Sequence, residues 1–356
     1  MKFRISILGA AMAALTALTP TSWAAPYKTS FGPTTVDIST GHAGHSSIPK
    51  KMGYWAADNV EVDVFGAAGA VAGLQMVASG KMDFITVTAE ALMLAQAQGM
   101  PVKAVYVHAR SPISKLVVLK NGGIKSVKEL KGKVVGMPVL EASSAYFGGL
   151  FNDNGLKFDK DVKLIATGTG APAALALQRN DIAAWASWDT AVASLENKGQ
   201  EFTEFRPAFF DDLVGNVIVT RNEMIEKHPE VVIGVARGIA KAVHFGLANP
   251  DAAVKIHWEV YPQTKPQNAD PAAAMSEAKT IFVSRFASYK LPAGMLYGAA
   301  RPEQWNTMAR LMRESGAPLP ASYDPKQAYT DKFIAEINKF DRTAIEGQAK
   351  GWKESQ

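Results

Sequence analysis

The sequence predicts an α/β protein of two lobes, built on parallel-rich sheets and joined by a hinge that the chain crosses twice. Three observations predict it. Strand, helix, strand, helix and strand alternate between Val134 and Asp189, which is the pattern of a parallel sheet with its ligands at the strands' C-terminal ends. A fainter echo links two stretches: a helix end, a short turn, an acidic residue and a strand run from Leu74 to Asp83 and again from Leu175 to Asp181. Extended segments at Ala109–Leu116 and Gly215–Val219 bracket a self-contained α/β pattern, as an outward and a returning crossing would.

In chain order, Thr35 to Thr40 reads as a first strand, emptying into the flexible loop Gly41-His42-Ala43-Gly44-His45-Ser46-Ser47 and then a helix through Lys50, Lys51 and Tyr54. Val60 to Phe65 alternates apolar and acidic residues, as a half-buried strand does. Gly66 to Ala70 forms a tight turn into a helix ending near Ser79-Gly80. Asp83 to Val87 makes the next strand, closing at Thr88-Ala89-Glu90, where another helix starts and runs to Gln98-Gly99. Val102 to His108 is a fourth strand. Ser126-Val127-Lys128-Glu129 has the spacing of a capping box. Val134 to Met137 is a buried strand stopped at Pro138, and a helix opens at Glu141 to Tyr146 with Phe147, Leu150 and Phe151 on one face. Val162 to Ala166, a helix over Ala173 to Gln178, and the strand Ile182 to Ala186 complete that lobe. After Thr220 helix follows helix, punctuated by Asn249-Pro250, Asp270-Pro271 and Asp324-Pro325.

Several residues stand where chemistry belongs. Ser143 and Ser144 open a helix at a strand's end, where free backbone N–H groups, hydroxyls and the helix dipole suit an anionic head; as plain helix caps they need no ligand. Trp185 and Trp188 lie three apart on a strand, so a regular strand turns them to opposite faces; Trp188, at the end, is the candidate ligand wall and Trp185 the core residue. Asp189 suits either a ligand donor or the cap of the next helix. His42 and His45 share a glycine-bearing loop, but two imidazoles do not make a metal site, and no H-E-x-x-H pattern completes one. Arg110, after the fourth strand, reads as a surface residue or as a counter-charge to Glu90.

Glu141-Ala142-Ser143-Ser144-Ala145, Asn154-Gly155-Leu156-Lys157-Phe158 and above all Asp181-Ile182-Ala183-Ala184-Trp185-Ala186-Ser187-Trp188-Asp189 resemble the aliphatic-sulfonate-binding proteins of bacterial ABC importers, within the taurine/nitrate/sulfonate substrate-binding family. The likeness extends more loosely from Val36 to Ala248. It implies a periplasmic-binding-protein fold of type II, a small organic ligand, a membrane-embedded ABC permease as partner, and no catalysis or cofactor. It also places the His42 loop and Thr88-Ala89-Glu90, similar to a Thr-Gly-Glu turn, in the crevice. The ligand-binding set expected is therefore His42, Thr88, Glu90, Ser143, Ser144, Trp188 and Asp189, around a small anionic solute such as a sulfonate or carboxylate. The Gly41–Ser47 loop departs from the Gly-Tyr-Gln-like turn of the sulfonate binders, so the transport role carries over further than the sulfonate identity. The alternative is a pyrimidine-precursor binding protein, or a related enzyme on the same fold using a lysine-bound pyridoxal phosphate, for which Lys50, Lys51, His42 and His45 are the residues at hand.

Composition sets outer limits. The 356 residues suit two lobes. Residues 1–24 read as a secretory signal: Lys2 and Arg4, an apolar run from Ile5 to Leu18, then Ser22-Trp23-Ala24 with small residues at the cleavage positions. No later segment is expected to approach the roughly 20 apolar residues needed to span a bilayer. Without cysteine there is no disulfide, no thiolate metal site, no catalytic thiol and no lipidated N-terminal Cys. Removing two basic residues with the signal lowers the formal charge from +5 to +3, and the remaining basic residues are scattered, giving nucleic-acid binding no support. The expected organisation is a signal over 1–24, one lobe from 25–115 and 217–356 with the C-terminal helices, and a second lobe from 116–216. The mature chain is expected to be a monomer, free in the periplasm.

Overall fold

The computed structural model describes residues 25–140, 144–158, 160–267 and 269–354, so the expected signal lies outside the described residues. Among the described residues ten strands form two five-stranded sheets: β1 (Tyr27–Gly32), β2 (Val60–Val64), β3 (Phe84–Thr88), β4 (Val102–Val107), β5 (Ser114–Leu119), β6 (Val134–Met137), β7 (Lys163–Ala166), β8 (Ala184–Trp188), β9 (Phe202–Phe205) and β10 (Asn216–Arg221). The first sheet has the order β2-β1-β3-β10-β4 and the second β7-β6-β8-β5-β9. These are one topology used twice: β6, β7, β8 and β9 stand where β1, β2, β3 and β4 stand, and β5 takes the place of β10. In each sheet the first three strands are parallel and the fourth runs antiparallel to its neighbours, so both sheets are mixed. The antiparallel strands, β5 and β10, are those beside the two crossings. There Gly215 lies so close to the outgoing chain that a Cβ would stand 2.3 Å from the Ser111 carbonyl oxygen. The His108 and Ala109 amides both donate to the Asn216 carbonyl at 2.9 Å, which ties the crossings together.

Local sequence explains most elements. In β2 the alternation Val60-Glu61-Val62-Asp63 buries the valines and exposes the acids. Asn249 and Asp270 cap the helices Pro250–Val260 and Pro271–Ala287 by accepting from the amides of Ala252 and Ala273, each helix carrying proline in its first turn. Glu129 accepts from the Lys125 amide and from Ser126 Oγ rather than from the Ser126 amide, and Ser126 caps no amide with its side chain, so the expected capping box does not form on the short helical turn Val127–Leu130.

Three expectations need correction. The first strand is Tyr27–Gly32, not Thr35 to Thr40. Tyr27–Phe31 pairs in register with Val60–Val64, whereas the following segment is interrupted by Pro33, bends, and leaves Val36 69% exposed. The strand read at Ile182 to Ala186 lies two residues later, at Ala184–Trp188, and it is followed in the second sheet by β9, which the sequence reading did not place. One late helix, Pro229–Ala248, is long and apolar enough to cross a membrane by length and composition. Its Val231, Val235, Ile239 and Val243 are buried in the first lobe's core, at the spacing of one helix face, which marks a core helix.

Each sheet is covered on both faces. Of the two cores of the first lobe, one is built around Pro229–Ala248 and the other around Trp305, Met308 and Met312 of the helix Pro302–Glu314. Ala145 and Tyr146, at the start of the second lobe's helix Ser144–Asp153, belong to that latter core. On the opposite flank the helix Pro271–Ala287 packs against the second lobe's helix Asp189–Glu196. The C-terminal helices therefore grip the second lobe from both sides of the crevice.

Candidate functional site

Polar groups gather where the C-terminal ends of β1, β3 and β4 face those of β6 and β8. At the end of β3, Thr88 Oγ1 accepts from the Ala91 amide at 3.2 Å and caps the helix Ala89–Ala97. One residue into that helix, Glu90 is 3% exposed, and its Oε1 accepts from the Ala145 amide at 3.2 Å. A carboxylate of one lobe thus sits on the N-terminus of a helix in the other, where free N–H groups and the dipole favour negative charge. That is the helix start at which the sequence predicts a ligand anion. Ser144 is its first residue, and Ser143 lies outside the described residues.

At the end of β8, Trp185 is fully buried and donates from Nε1 to Thr167 Oγ1 at 3.1 Å. Trp188 is half-buried and packs on the same cluster as Trp185, so the expected division between opposite faces fails. Trp188 is the last strand residue and the N-cap of the next helix, which is where regular alternation ends. Asp189 is buried and accepts from Arg285 through Nε at 2.8 and 3.1 Å and through Nη2 at 2.6 Å. Burial works against the Arg285 charge, but the Asp189 carboxylate outweighs it and holds the guanidinium above its usual range. This bidentate pair ties the second lobe to the helix Pro271–Ala287. Alongside it Gly41 comes so near that a Cβ would stand 2.9 Å from Thr190 Cγ2.

The loop after β1 folds as a short helical turn, Thr40–His45. His42 is half-buried, and its Nδ1 accepts from the Ser39 amide at 3.0 Å, which leaves the proton of the neutral ring on Nε2. His45 Nδ1 lies 3.0 Å from Nε2 of His108, the residue after β4. Both rings are buried, and the Tyr289 ring lies on His108 with centroids 4.0 Å apart. Burial is the main cause that keeps all three histidines uncharged. It pushes His42 and His45 well down and His108 to about 3, with Arg285 adding to each. Among the described residues no group of three or more His, Cys, Asp or Glu is placed to hold a metal ion.

Sequence reasoning missed Arg285 and His108. Ala278, Phe282, Arg285 and Tyr289 recur at helical spacing, and a lone cation on such a face is a signal of a buried partner. His108 ends an apolar strand, as a crevice residue would. Arg110, read as a surface residue or as the counter-charge of Glu90, is instead buried. Its Nη1 donates to the Ala299 carbonyl at 2.8 Å, and burial brings the guanidinium down to about 10.

A cavity of about 710 Å³ opens at the C-terminal ends of β1 and β2, lined by Asp37, Ser39, Thr40, Gly66, Tyr261 and Glu277 among others. Its volume is that of a small-molecule site. A hollow of about 390 Å³ beside Lys133 and Asp181 lies at the N-terminal ends of β6 and β8, the wrong end of the sheet for a ligand in this architecture.

Two sheets of one topology, joined by paired crossings and enclosing polar strand ends, are the architecture of periplasmic binding proteins. The aliphatic sulphonate binding protein SsuA of Escherichia coli superposes with a TM-score of 0.66 at 16% identity, over 86% of this chain and 92% of its own. The chain belongs to the NMT1/THI5-like family, whose description matches residues 42–253. Among curated relatives, the riboflavin-binding protein RibY of Chloroflexus aurantiacus is 26% identical over 79% of this chain and 79% of its own. The taurine-binding periplasmic protein of Escherichia coli K12 is 25% identical over 73% of this chain and 80% of its own.

Proposed function

We propose that this chain is the solute-binding component of an ABC importer, a receptor rather than an enzyme, which captures a small organic solute with an anionic head between its lobes and delivers it to a membrane-embedded permease. The observation that carries the proposal is the set of bonds crossing the crevice, Glu90 to Ala145 and Asp189 to Arg285, at the strand ends where this fold holds ligands. The proposed lobes are 25–115 with 217–356, and 116–216. The mature chain is a monomer, released into the periplasm after cleavage of 1–24 and carrying no lipid anchor.

The solute's head takes the start of the helix Ser144–Asp153, where Ser143 and Ser144 supply hydroxyls and N–H groups and where Glu90 now stands as a carboxylate in the same role. Thr88 and Asp189 fix the elements around it, His42 offers Nε2–H, and Trp188 covers the solute's body. The names of the taurine- and sulphonate-binding relatives support such a head. A second reading, an uncharged pyrimidine-like solute, is favoured by the histidines that burial holds neutral. The pyridoxal alternative is not supported: Lys50 is exposed and Lys51 is paired with Glu259 at 2.6 Å, so neither is the desolvated amine a Schiff base needs.

A thermal-shift panel of sulfonates, carboxylates and pyrimidines tests the proposal. A solute at 100 times its dissociation constant adds about 2.7 kcal/mol, and small-angle scattering at saturation records compaction. A panel that shifts nothing, or a bound solute that leaves the radius of gyration unchanged, overturns it.

A further inference from the structure

We propose that the cavity at the C-terminal ends of β1 and β2 is a tail pocket, which takes the extended apolar tail, alkyl or aryl, of a solute whose only anionic group is its head. The inference rests on the receptor reading above and adds to it the class of solute.

Apolar side chains that the fold leaves unused point to it. Val36 and Ile38 lie in the segment after β1, which pairs with no strand, and Ile281 lies on the helix Pro271–Ala287. All three line the cavity. Val36 is 69% exposed. Ile38 and Ile281 are half-buried, yet among the described residues neither belongs to a hydrophobic core or packs against one. Apolar groups gathered on a concave wall, with no core to serve, are what the apolar part of a ligand covers. Phe65 and Tyr261 add aromatic surface to the same wall. The volume, about 710 Å³, is more than a two-carbon solute with its head would fill. It falls among the pockets of about 300–1,000 Å³ that hold drug-sized ligands.

The charged residues of the lining are Asp37 and Glu277, and no Lys, Arg or His belongs to it. A second anion entering the cavity would meet two carboxylates and no counter-charge, whereas an uncharged tail meets apolar wall. Position links the cavity to the candidate site. Thr40 Oγ1 donates to the Ala278 carbonyl at 3.3 Å, and the turn that Thr40 opens carries His42, whose ring accepts from the Ser39 amide. On the helix, Ala278, Ile281 and Arg285 recur at i, i+3 and i+7 on one face. Arg285, with its partner Asp189, therefore stands about one turn, roughly 5.4 Å, beyond Ile281. β2 is an edge strand, and β10 and β4, beside the crossings, lie on the other side of the sheet. A tail held here extends from the crevice away from the hinge.

Calorimetry with ethanesulfonate, 1-octanesulfonate and 1,8-octanedisulfonate tests the pocket. Each fully buried methylene tightens binding about four-fold, so six more, partly buried, should favour octanesulfonate over ethanesulfonate by about thirty-fold or more. The disulfonate should bind about ten-fold or more weaker than octanesulfonate, because its second head must lose water beside Asp37 and Glu277. Ile281→Asn should cut the octane-to-ethane ratio by about five-fold or more. Val36→Asn repeats that test at an exposed position where folding is not at stake, and thermal melts of both variants confirm the fold. Equal affinities for the two monosulfonates would overturn the tail pocket and leave the anionic head standing. A length gain that both variants keep would place the tail elsewhere, along Trp188, and would overturn the pocket too. So would a disulfonate that binds as tightly as octanesulfonate. Binding by none of the three overturns the pocket and counts against the anionic head as well.

Discussion

The Asp189–Arg285 pair is the place to break the molecule. The side chains are 5% and 7% exposed, and three hydrogen bonds of 2.6–3.1 Å join them, one end on each lobe. Removing one partner of a buried pair strands the other and costs about 3–5 kcal/mol. The two single variants should differ within that range. Asp189→Asn leaves a guanidinium that cannot shed its proton and therefore carries the full desolvation penalty. Arg285→Met leaves a carboxyl that can neutralise itself by protonation, so its cost falls at the lower end. At about 2 °C per kcal/mol for a chain of this size, Asp189→Asn lowers the unfolding midpoint by about 6–10 °C. Asp189→Leu combined with Arg285→Met replaces the pair by apolar contact and recovers most of the loss, since apolar replacements of buried pairs are often neutral or stabilising. Denaturant and thermal melts of the wild type, Asp189→Leu, Arg285→Met and their combination give the cycle, with Asp189→Asn measured alongside, and scattering tests whether Asp189→Asn loosens the lobes. If the double variant loses the sum of the singles, the two residues act independently and the reasoning fails.

Three further outcomes follow from named contacts. Glu90→Gln keeps an oxygen for the Ala145 amide but removes the charge on the helix start, a loss of about 0.3–2 kcal/mol in stability. It should tighten sulfonate binding in calorimetry, because a fixed anion no longer competes; weaker binding would place the head elsewhere. His108 and His257, pushed down to about 3 and about 4 chiefly by burial, take up a proton near pH 6.5 in the unfolded chain but not in the folded one. Their stabilising effect is therefore complete above that value and declines as pH falls from it toward the folded values, by about 2 kcal/mol per histidine between pH 7 and 5 in denaturant melts. Equal stability at the two pH values would contradict their neutral burial. Gly215→Ala forces a methyl against the Ser111 carbonyl and should cost about 1–3 kcal/mol, unless the crossings can part, in which case melts will show no loss.

What the sequence made legible was whatever local pattern decides. The Val60–Val64 alternation, the capped helix starts at Asn249 and Asp270 and the run of strands from Val134 needed no distant partner to be read. Tyr27–Gly32 was missed because Lys28, Ser30 and Gly32 dilute the strand formers Tyr27, Thr29 and Phe31, leaving no apolar run to read. It is a strand because β2 and β3 flank it, while the more β-branched Thr34-Thr35-Val36 has no neighbour to pair with. The same division runs through the site. Thr88, Glu90 and Asp189 could be singled out as polar residues after apolar strands. That Glu90 would meet an amide 55 residues on, or Asp189 a guanidinium 96 residues on, depends on how two lobes and a set of C-terminal helices pack, and no local periodicity encodes that.

The charges at the crevice bear on how it selects. Glu90 lies on a helix N-terminus, Asp189 on Arg285, and the buried histidines are held neutral. A solute entering such a site meets no uncompensated cation among these groups, so its charge alone gains little. On the proposed reading, an anionic head takes over the donor that Glu90 now uses, an exchange of one anion for another whose net free energy is small. On that reading discrimination comes from how the solute's body fits the walls of the crevice, Trp188 among them. On the proposed reading, a charge-balanced crevice would account for similarity to receptors named for taurine and for riboflavin alike: the shared scaffold sets where a solute would sit, while the side chains at the strand ends set which one fits.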